Sequence, residues 1–192
     1  MVSVPSTMME LGTRAPGFRL PDPDGRYHEL ADLADAPVLV VAFICNHCPY
    51  VQHIRTVLAE VTGRLIDRGV AVVGINSNDT TAYPDDAPPR MAEEAATFGY
   101  RFPYLVDADQ SVARAYRAAC TPDFFVFDAG RALVYRGQFD ASRPRNDTPV
   151  TGADLTSAVD AALAGRPPLP DQWPSLGCNI KWQPGTEPDY AP

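Results

Sequence analysis

The chain has 192 residues, 45% of them hydrophobic and 21% charged, which is the balance of a globular protein with a substantial core. That balance excludes disordered, collagen-like and coiled-coil chains. Lys and Arg number 16 against 24 Asp and Glu, and the resulting net charge of -8 argues against nucleic acid as a binding partner.

The sequence also bears on location. The N-terminal segment has no basic stretch followed by an apolar run, so we expect no secretory signal. The longest apolar stretch, 37–44, is too short to cross a bilayer, and we expect no membrane partner. A cytoplasmic protein is therefore predicted, and in that compartment paired cysteines are more often catalytic or metal-binding than structural.

Apolar runs and helical periodicities alternate along the first half of the chain. An Asp-Gly turn between two short runs predicts a hairpin over 18–30. The apolar runs 38–44 and 70–75 predict two buried strands, which a helix connects as a parallel pair with a right-handed crossover. That helix is predicted to carry its apolar face at Ile54, Leu58, Val61 and Leu65 and to end at Gly69.

The alternation continues in the second half. A polar, proline-rich loop is predicted over 76–89 and a hairpin over 124–135. The spacing Thr151-x-x-Asp154 predicts a capping box that opens a last helix. Before that hairpin we predict a helix with Met91, Ala95 and Phe98 on one face and its end at Gly99, then a strand over 102–106. A helix over 110–119 follows, with Val112, Tyr116 and Ala119 inward. The last helix has Leu155, Val159 and Leu163 inward and ends at Gly165. This order indicates one α/β domain with a mixed sheet.

The strongest chemical signal is Cys45-Asn46-His47-Cys48, where a predicted buried strand leads into a predicted helix. Residues three apart share a helix face, so the two sulfur atoms can meet. We expect Cys45 at the N-terminus of the helix, where unpaired N–H groups and the helix dipole favour a thiolate. The thiolate is the form of cysteine that attacks disulfides and peroxides.

Two other interpretations of the motif stay open. Half of a zinc site has the same spacing, and His47 or His53 could complete it, but the sequence contains no second pair of cysteines at that spacing. The two thiols could also be a buried structural pair. Redox chemistry is favoured because the motif lies at a strand-to-helix junction.

Several stretches resemble a known family. They are F-I-C-N-H-C-P-Y-V at 43–51, C-T-P-D-F-F at 120–125 and G-C-N-I-K-W at 177–182, together with the opening G-T-R-A-P-G-F at 12–18. These stretches and the order of the elements resemble the peroxiredoxin-like proteins related to the AhpC/TSA group, which are bacterial members of the thioredoxin-fold redoxins. The resemblance covers nearly the whole chain.

The resemblance implies the fold class and the division of the chain. The expected fold is a thioredoxin-like α/β fold, a central mixed sheet flanked by helices, with an N-terminal hairpin and an extended C-terminal tail. The expected parts are an N-terminal arm over 1–16, a thioredoxin-like redoxin domain over 17–166, and a proline-rich tail over 167–192 that docks on the domain.

The resemblance also implies roles for single residues. Cys45 would attack the substrate and Cys48 would resolve the intermediate. Pro122 would be a cis-proline against the disulfide, with Thr121 beside it, whereas composition alone would favour an ordinary trans bond. His47, between the cysteines, would stabilise the thiolate and raise the reduction potential; the alternative is a solvent-exposed polar residue.

Three features of the related families are missing. Ile44 stands where thioredoxins have Trp, and the predicted strand before the motif has no carboxylate, so proton transfer for Cys48 needs another group or water. Peroxiredoxins carry Pro-x-x-x-Thr-x-x-Cys. With Cys48 as the last residue of that pattern, Val41 and Cys45 occupy the Pro and Thr positions. The missing threonine hydroxyl weakens the peroxidase interpretation.

Two cysteines lie outside the motif. Cys120 adjoins the Thr121-Pro122 pair and would be near the motif, with a small buried hydrophobe as the alternative. The tail over 173–182 holds two tryptophans, a leucine and an isoleucine, each worth about 1.5–3 kcal/mol when buried, so we expect it to dock. It could dock at the rim of the site, where Cys178 would be an accessory resolving thiol, or it could pack elsewhere.

The sequence therefore predicts a thiol–disulfide oxidoreductase that uses Cys45 and Cys48 through a mixed-disulfide intermediate. We expect no cofactor and no metal. Its partners would be a protein or small-molecule disulfide and a cellular dithiol that donates electrons. Two alternatives stay open: a thiol peroxidase, and a metal-binding or chaperone-like protein that holds copper or zinc through the two cysteines and a histidine.

Overall fold

The structure is a computed structural model, and it describes residues 3–191. The first two residues of the predicted arm and the last residue of the predicted tail lie outside the described residues. The strands are β1 (Ser3–Pro5), β2 (Arg19–Pro21), β3 (Tyr27–Glu29), β4 (Leu39–Phe43), β5 (Ala71–Asn76), β6 (Tyr104–Val106), β7 (Cys120–Thr121), β8 (Asp123–Phe127), β9 (Leu133–Gly137) and β10 (Leu176–Asn179). The α-helices are α1 (Pro49–Asp67), α2 (Pro88–Phe98), α3 (Ser111–Ala115) and α4 (Ala153–Leu163), with short 3-10 turns at Leu30–Leu33 and Pro84–Asp86.

A mixed sheet of five strands, in the order β6-β5-β4-β8-β9, forms the centre of the molecule. β4 pairs in parallel with β5, and β5 with β6, while β8 and β9 run antiparallel. The central strand β4 is buried along its whole length because its side chains alternate between two cores: Val40 and Ala42 enter one, and Leu39, Val41 and Phe43 enter the other. This is a thioredoxin-like α/β fold, as predicted.

Helices cover both faces of the sheet. The four apolar residues predicted to face inward from α1 are all buried in one core, together with the buried face of α4. α3 and the N-terminal segment before β2 cover the other face, where Val112 and Tyr116 are buried. None of the helices in residues 3–191 has the length and hydropathy that a membrane-spanning segment requires.

Two helices differ from the sequence-based prediction. α3 has only five residues because Arg117 adopts a left-handed conformation, with φ 51°, and turns the chain towards β7. The predicted capping box of α4 is wrong, since the N-cap is Gly152 rather than Thr151. The Asp140 carboxylate accepts the backbone N–H groups of both Thr151 and Gly152, and so replaces the side-chain cap.

The C-terminal segment adds the middle strand of a second sheet, ordered β1-β10-β7 and antiparallel throughout. In this sheet Cys178 lies opposite Ser3 on one side and Thr121 on the other. Cys178 and Ile180 are buried, but Trp173 is 64% exposed, contrary to the expectation that both tryptophans dock. Trp173 is held by its backbone instead, because its carbonyl accepts the N–H of Gln138.

Candidate active site

The two cysteines of the motif lie in a turn between β4 and α1, rather than within a helix. Cys48 is the N-cap of α1, with extended backbone, and the helix begins at Pro49. The expectation that Cys45 occupies the helix N-terminus is therefore wrong. Pro49 suits the first helical position because its φ is fixed and it has no N–H to leave unpaired. The partial positive charge of the helix N-terminus acts on Cys48.

Asp86 fixes the conformation of this turn from outside the motif. Its carboxylate is wholly buried and accepts four hydrogen bonds. Oδ1 accepts the backbone N–H groups of Asn46 (2.8 Å) and His47 (3.1 Å), and Oδ2 accepts Asn78 Nδ2 (2.8 Å) and His47 Nδ1 (2.6 Å). Burial raises the pKa of Asp86, but the hydrogen bonds from His47 and Asn78 outweigh it and hold the pKa below its ordinary value. Asp86 is therefore ionised at neutral pH.

His47 is turned towards Asp86 and away from solvent. Its ring stacks on Tyr83 with centroids 5.1 Å apart, and its side chain is 13% exposed. The alternative of a solvent-exposed polar residue is therefore wrong. Nε2 is buried, and the described part of the chain offers it no hydrogen-bond partner. Because the Asp86 carboxylate stands against Nδ1, any positive charge on His47 is largely offset next to the cysteines.

The sulfur atoms of Cys45 and Cys48 meet at a single residue, Thr121. Cys45 Sγ lies 3.3 Å from Thr121 Oγ1, and the Cys48 thiol donates to the Thr121 carbonyl oxygen at 3.1 Å. The Thr121-Pro122 peptide bond is cis, as the resemblance implies. The structure thus brings together Cys45, Cys48, Thr121 and Pro122, four of the five residues that were expected to form the redox site; the fifth, His47, is turned towards Asp86.

Cys178 joins these residues from β10, and the three thiols interact strongly. Hydrogen bonds from Cys178 and Cys45 outweigh burial and hold the pKa of Cys48 well below its ordinary value. Burial raises the pKa of Cys45, and the hydrogen bond to Cys48 and the charge of Asp86 raise it further. The hydrogen bond to Cys48, followed by burial, raises the pKa of Cys178. Of the three thiols, Cys48, the N-cap residue, is therefore the one whose ionisation the surroundings favour, where the sequence had suggested Cys45.

Cys120 occupies β7 beside Thr121 and is wholly buried. Its thiol contacts the Pro122 carbonyl at a sulfur–oxygen distance of 3.9 Å. Burial raises the pKa of Cys120 well above its ordinary value, and the nearby Asp123 raises it further. These surroundings suit a packed thiol better than a nucleophile.

One set of residues in the described part of the chain could hold a metal ion. Ligand atoms of Cys45, His47 and Asp86 lie within 4.8 Å of one another. The set contains Asp86 in place of Cys48, which the metal-binding alternative had included. His47 and Asp86 already hydrogen-bond to each other, and the pKa of Cys45 is raised, whereas a metal ligand must give up its proton. The geometry fits a redox site better than a metal centre.

The sequence interpretation missed two buried polar residues that shape the site. One is Asp86, next to the exposed Asp85 in a region predicted only as a loop; nothing in the spacing distinguishes the two. The other is Tyr104, whose hydroxyl donates to Asn46 Oδ1 at 3.1 Å from strand β6. Its place in a short apolar strand gives no sign of a polar role, so only the folded structure identifies it.

The fold and the thiol cluster define a thiol-based redox protein of the redoxin class. The family model described as "AhpC/TSA family" matches residues 11–136, and the chain belongs to this family.

Relatives of this chain carry different activities in their names. A protein of Mycobacterium tuberculosis provisionally named a peroxiredoxin is 30% identical over 59% of this chain and 67% of its own length. Thiol-disulfide oxidoreductase ResA of Bacillus anthracis is 24% identical over 66% of this chain and 68% of its own. The crystal structure of a hypothetical protein from Sinorhizobium meliloti superposes with a TM-score of 0.93 at 54% identity, and the match covers 94% of this chain and 99% of that one.

Proposed function

We propose that the protein is a thiol–disulfide oxidoreductase that cycles Cys45 and Cys48 between a dithiol and a disulfide. The observation that carries this proposal is that both sulfur atoms contact Thr121, Cys45 Sγ at its hydroxyl (3.3 Å) and Cys48 Sγ at its carbonyl oxygen (3.1 Å), so that the two thiols stand beside each other. A sulfur–sulfur bond between thiols that already stand side by side requires little movement of the backbone.

In the proposed cycle the Cys48 thiolate attacks one sulfur of a substrate disulfide. The second substrate sulfur leaves as a thiolate and takes a proton, and Cys48 is left in a mixed disulfide. Cys45 then loses its proton, attacks Cys48 Sγ and expels the remaining substrate thiolate, so that the Cys45–Cys48 disulfide is formed. Attack is assigned to Cys48, in place of Cys45, because Cys48 lies at the helix N-terminus and carries the lowered pKa.

Burial of the thiols supports a small substrate. Cys45 is 1% exposed and Cys48 is 0% exposed, and β10 pairs along β7 next to them. A protein substrate would have to displace β10, whereas a small-molecule disulfide needs only a local opening. We therefore favour a small-molecule disulfide as the substrate, with a cellular dithiol as the electron donor that reduces the enzyme again.

Thiol peroxidase activity is the second candidate, and the lowered pKa of Cys48 favours it. A peroxide would oxidise this thiolate to a sulfenic acid and release water or an alcohol; Cys45 would then condense with it, releasing water and forming the same disulfide. Cys45 stands at the position of the peroxiredoxin threonine. In the structure, however, the Thr121 hydroxyl lies 3.3 Å from Cys45 Sγ and supplies a hydroxyl group nearby.

Steady-state turnover of a small disulfide and of hydrogen peroxide, with dithiothreitol as donor, tests the proposal. We expect disulfide reduction that falls to background in Cys48→Ser, which lacks the attacking thiol, and that falls several-fold in Cys45→Ser, which lacks the resolving thiol. Cys120→Ser, which removes a buried thiol outside the proposed cycle, is the control and should retain full turnover. Full disulfide turnover in Cys45→Ser would contradict the proposal, and turnover of peroxide alone would establish the second candidate instead.

A further inference from the structure

Cys178 lies in the thiol cluster but has no part in the proposed cycle. It belongs to β10, the middle strand of its sheet, and lies directly opposite Thr121, the residue that contacts both motif cysteines. The Cys178 and Cys48 side chains lie close enough for each to shift the pKa of the other. Cys48 therefore has a thiol neighbour on two sides, Cys45 in its own turn and Cys178 in β10.

The close approach of β10 to Thr121 depends on a glycine. A Cβ atom at Gly177 would lie 2.0 Å from the Thr121 carbonyl oxygen, so any other residue would push the strand away. The neighbouring residue, Cys178, is thereby held against the cluster by a strand paired on both edges. A thiol on a doubly paired strand has a fixed position, unlike a thiol on a loose tail.

Cys178 is 2% exposed, about as buried as Cys45 and Cys48, but it differs from them in the surface that it borders. It lines a cleft of about 370 Å³, together with Tyr50, Arg143 and Arg145. Cys45 and Cys48 are not among the residues that line this cleft. Of the three sulfur atoms in the cluster, Cys178 is therefore the one that a small molecule in the cleft would meet.

We propose that Cys178 is a third redox-active cysteine. It displaces Cys45 from the Cys45–Cys48 disulfide, and small thiols in the cleft reduce the resulting Cys48–Cys178 disulfide. The inference rests on the proposed Cys45–Cys48 disulfide, which supplies the oxidising equivalent. Deprotonated Cys178 attacks Cys48 Sγ, the Cys45–Cys48 bond breaks, and Cys45 leaves as a thiolate that takes up the proton. One sulfur–sulfur bond breaks and one forms, so the step needs no further oxidant.

The Cys48–Cys178 disulfide is then reduced from the cleft. A small thiolate attacks Cys178 Sγ, and Cys48 leaves as the thiolate that the helix N-terminus and the Cys45 thiol stabilise. A second small thiolate attacks the bound small molecule, releases it as a small-molecule disulfide and restores the Cys178 thiol. Two electrons pass to the enzyme from two small thiols, which in this route take the place of the cellular dithiol as the electron donor.

Disulfide mapping after oxidation tests the inference. Cys45→Ser and the wild-type protein are oxidised with diamide, quenched in acid and mapped as peptides. We expect Cys45→Ser to lose two hydrogen atoms and to form the Cys48–Cys178 disulfide within one chain. If Cys45→Ser forms no such disulfide while the wild type forms Cys45–Cys48, the relay is refuted and the proposed function stands. If the wild type forms no Cys45–Cys48 disulfide, the proposed function fails.

A kinetic measurement complements the mapping, and its trapping step uses the wild-type protein alone. Oxidised wild-type protein is mixed with cysteamine, a small thiol, and trapped at short times. We expect the mixed disulfide at Cys178, and we expect Cys178→Ser to be reduced several-fold more slowly than Cys120→Ser. A mixed disulfide that appears only at Cys45 or Cys48, or equal rates in the two variants, would overturn the proposal.

Discussion

Asp86→Asn removes the charge that holds the active-site turn while preserving the shape of the side chain. The carboxylate accepts at both oxygens, whereas an amide accepts at one end only, so two of the four hydrogen bonds are lost. Hydrogen bonds to a charged group contribute about 1.5–3 kcal/mol each, and a tautomer change at His47 restores one of those lost. On balance one hydrogen bond is lost, so we expect the free energy of unfolding to fall by about 1.5–3 kcal/mol.

Urea unfolding followed by circular dichroism measures this change, and Asp85→Asn is the matched control because its side chain is exposed. The substitution at Asp86 has a second, independent effect. The negative charge of Asp86 contributes to the raised pKa of Cys45, so Asp86→Asn should lower that pKa and accelerate alkylation of Cys45. Equal stability of the two variants, with no change in alkylation, would show that Asp86 does not organise the turn.

Three further predictions concern pH, strand pairing and reactivity. Because the folded-state pKa of Asp86 is depressed, its contribution to stability is present above the unfolded pKa and is lost as pH falls through the folded pKa. The difference in free energy of unfolding between the wild type and Asp86→Asn should therefore vanish in an acid titration. A difference that stays constant with pH would refute this. Gly177→Ala should lower the free energy of unfolding by about 1–3 kcal/mol, because the added Cβ meets the backbone of β7. Gly17→Ala is the control: its added Cβ meets open space, so the free energy of unfolding should not change. Iodoacetamide at neutral pH should label Cys48 before Cys45 in peptide maps, and the reverse order would return the attacking role to Cys45.

The fold could be predicted from the sequence because local patterns and tertiary structure agree in this chain. The apolar run 38–44 contains the central strand β4, whose side chains enter both cores. The four apolar residues that recur at helical spacing along α1 all lie in one core. The predicted capping box of α4 was wrong because a side chain outside the motif binds the backbone there instead. At α4 the Asp140 carboxylate, from the loop before the helix, accepts the backbone N–H of Thr151.

The candidate site, like the fold, could be predicted from the sequence only in part. Cys45, Cys48 and Thr121-Pro122 carry a recognisable spacing, and the structure brings them together. The distribution of charge among the thiols could not be predicted, because it depends on where α1 begins and on hydrogen bonds from separate strands. Asp86 acts through four contacts that no short-range pattern encodes.

The measurement that tests the central claim most directly is an equilibrium redox titration of the wild-type protein in glutathione buffers, with the disulfides mapped at each potential. The account predicts that Cys45 and Cys48 are joined in one reversible two-electron transition, and that activity towards a small disulfide follows the dithiol fraction. The contradicting result is a titration in which no Cys45–Cys48 disulfide forms at any potential and activity does not change.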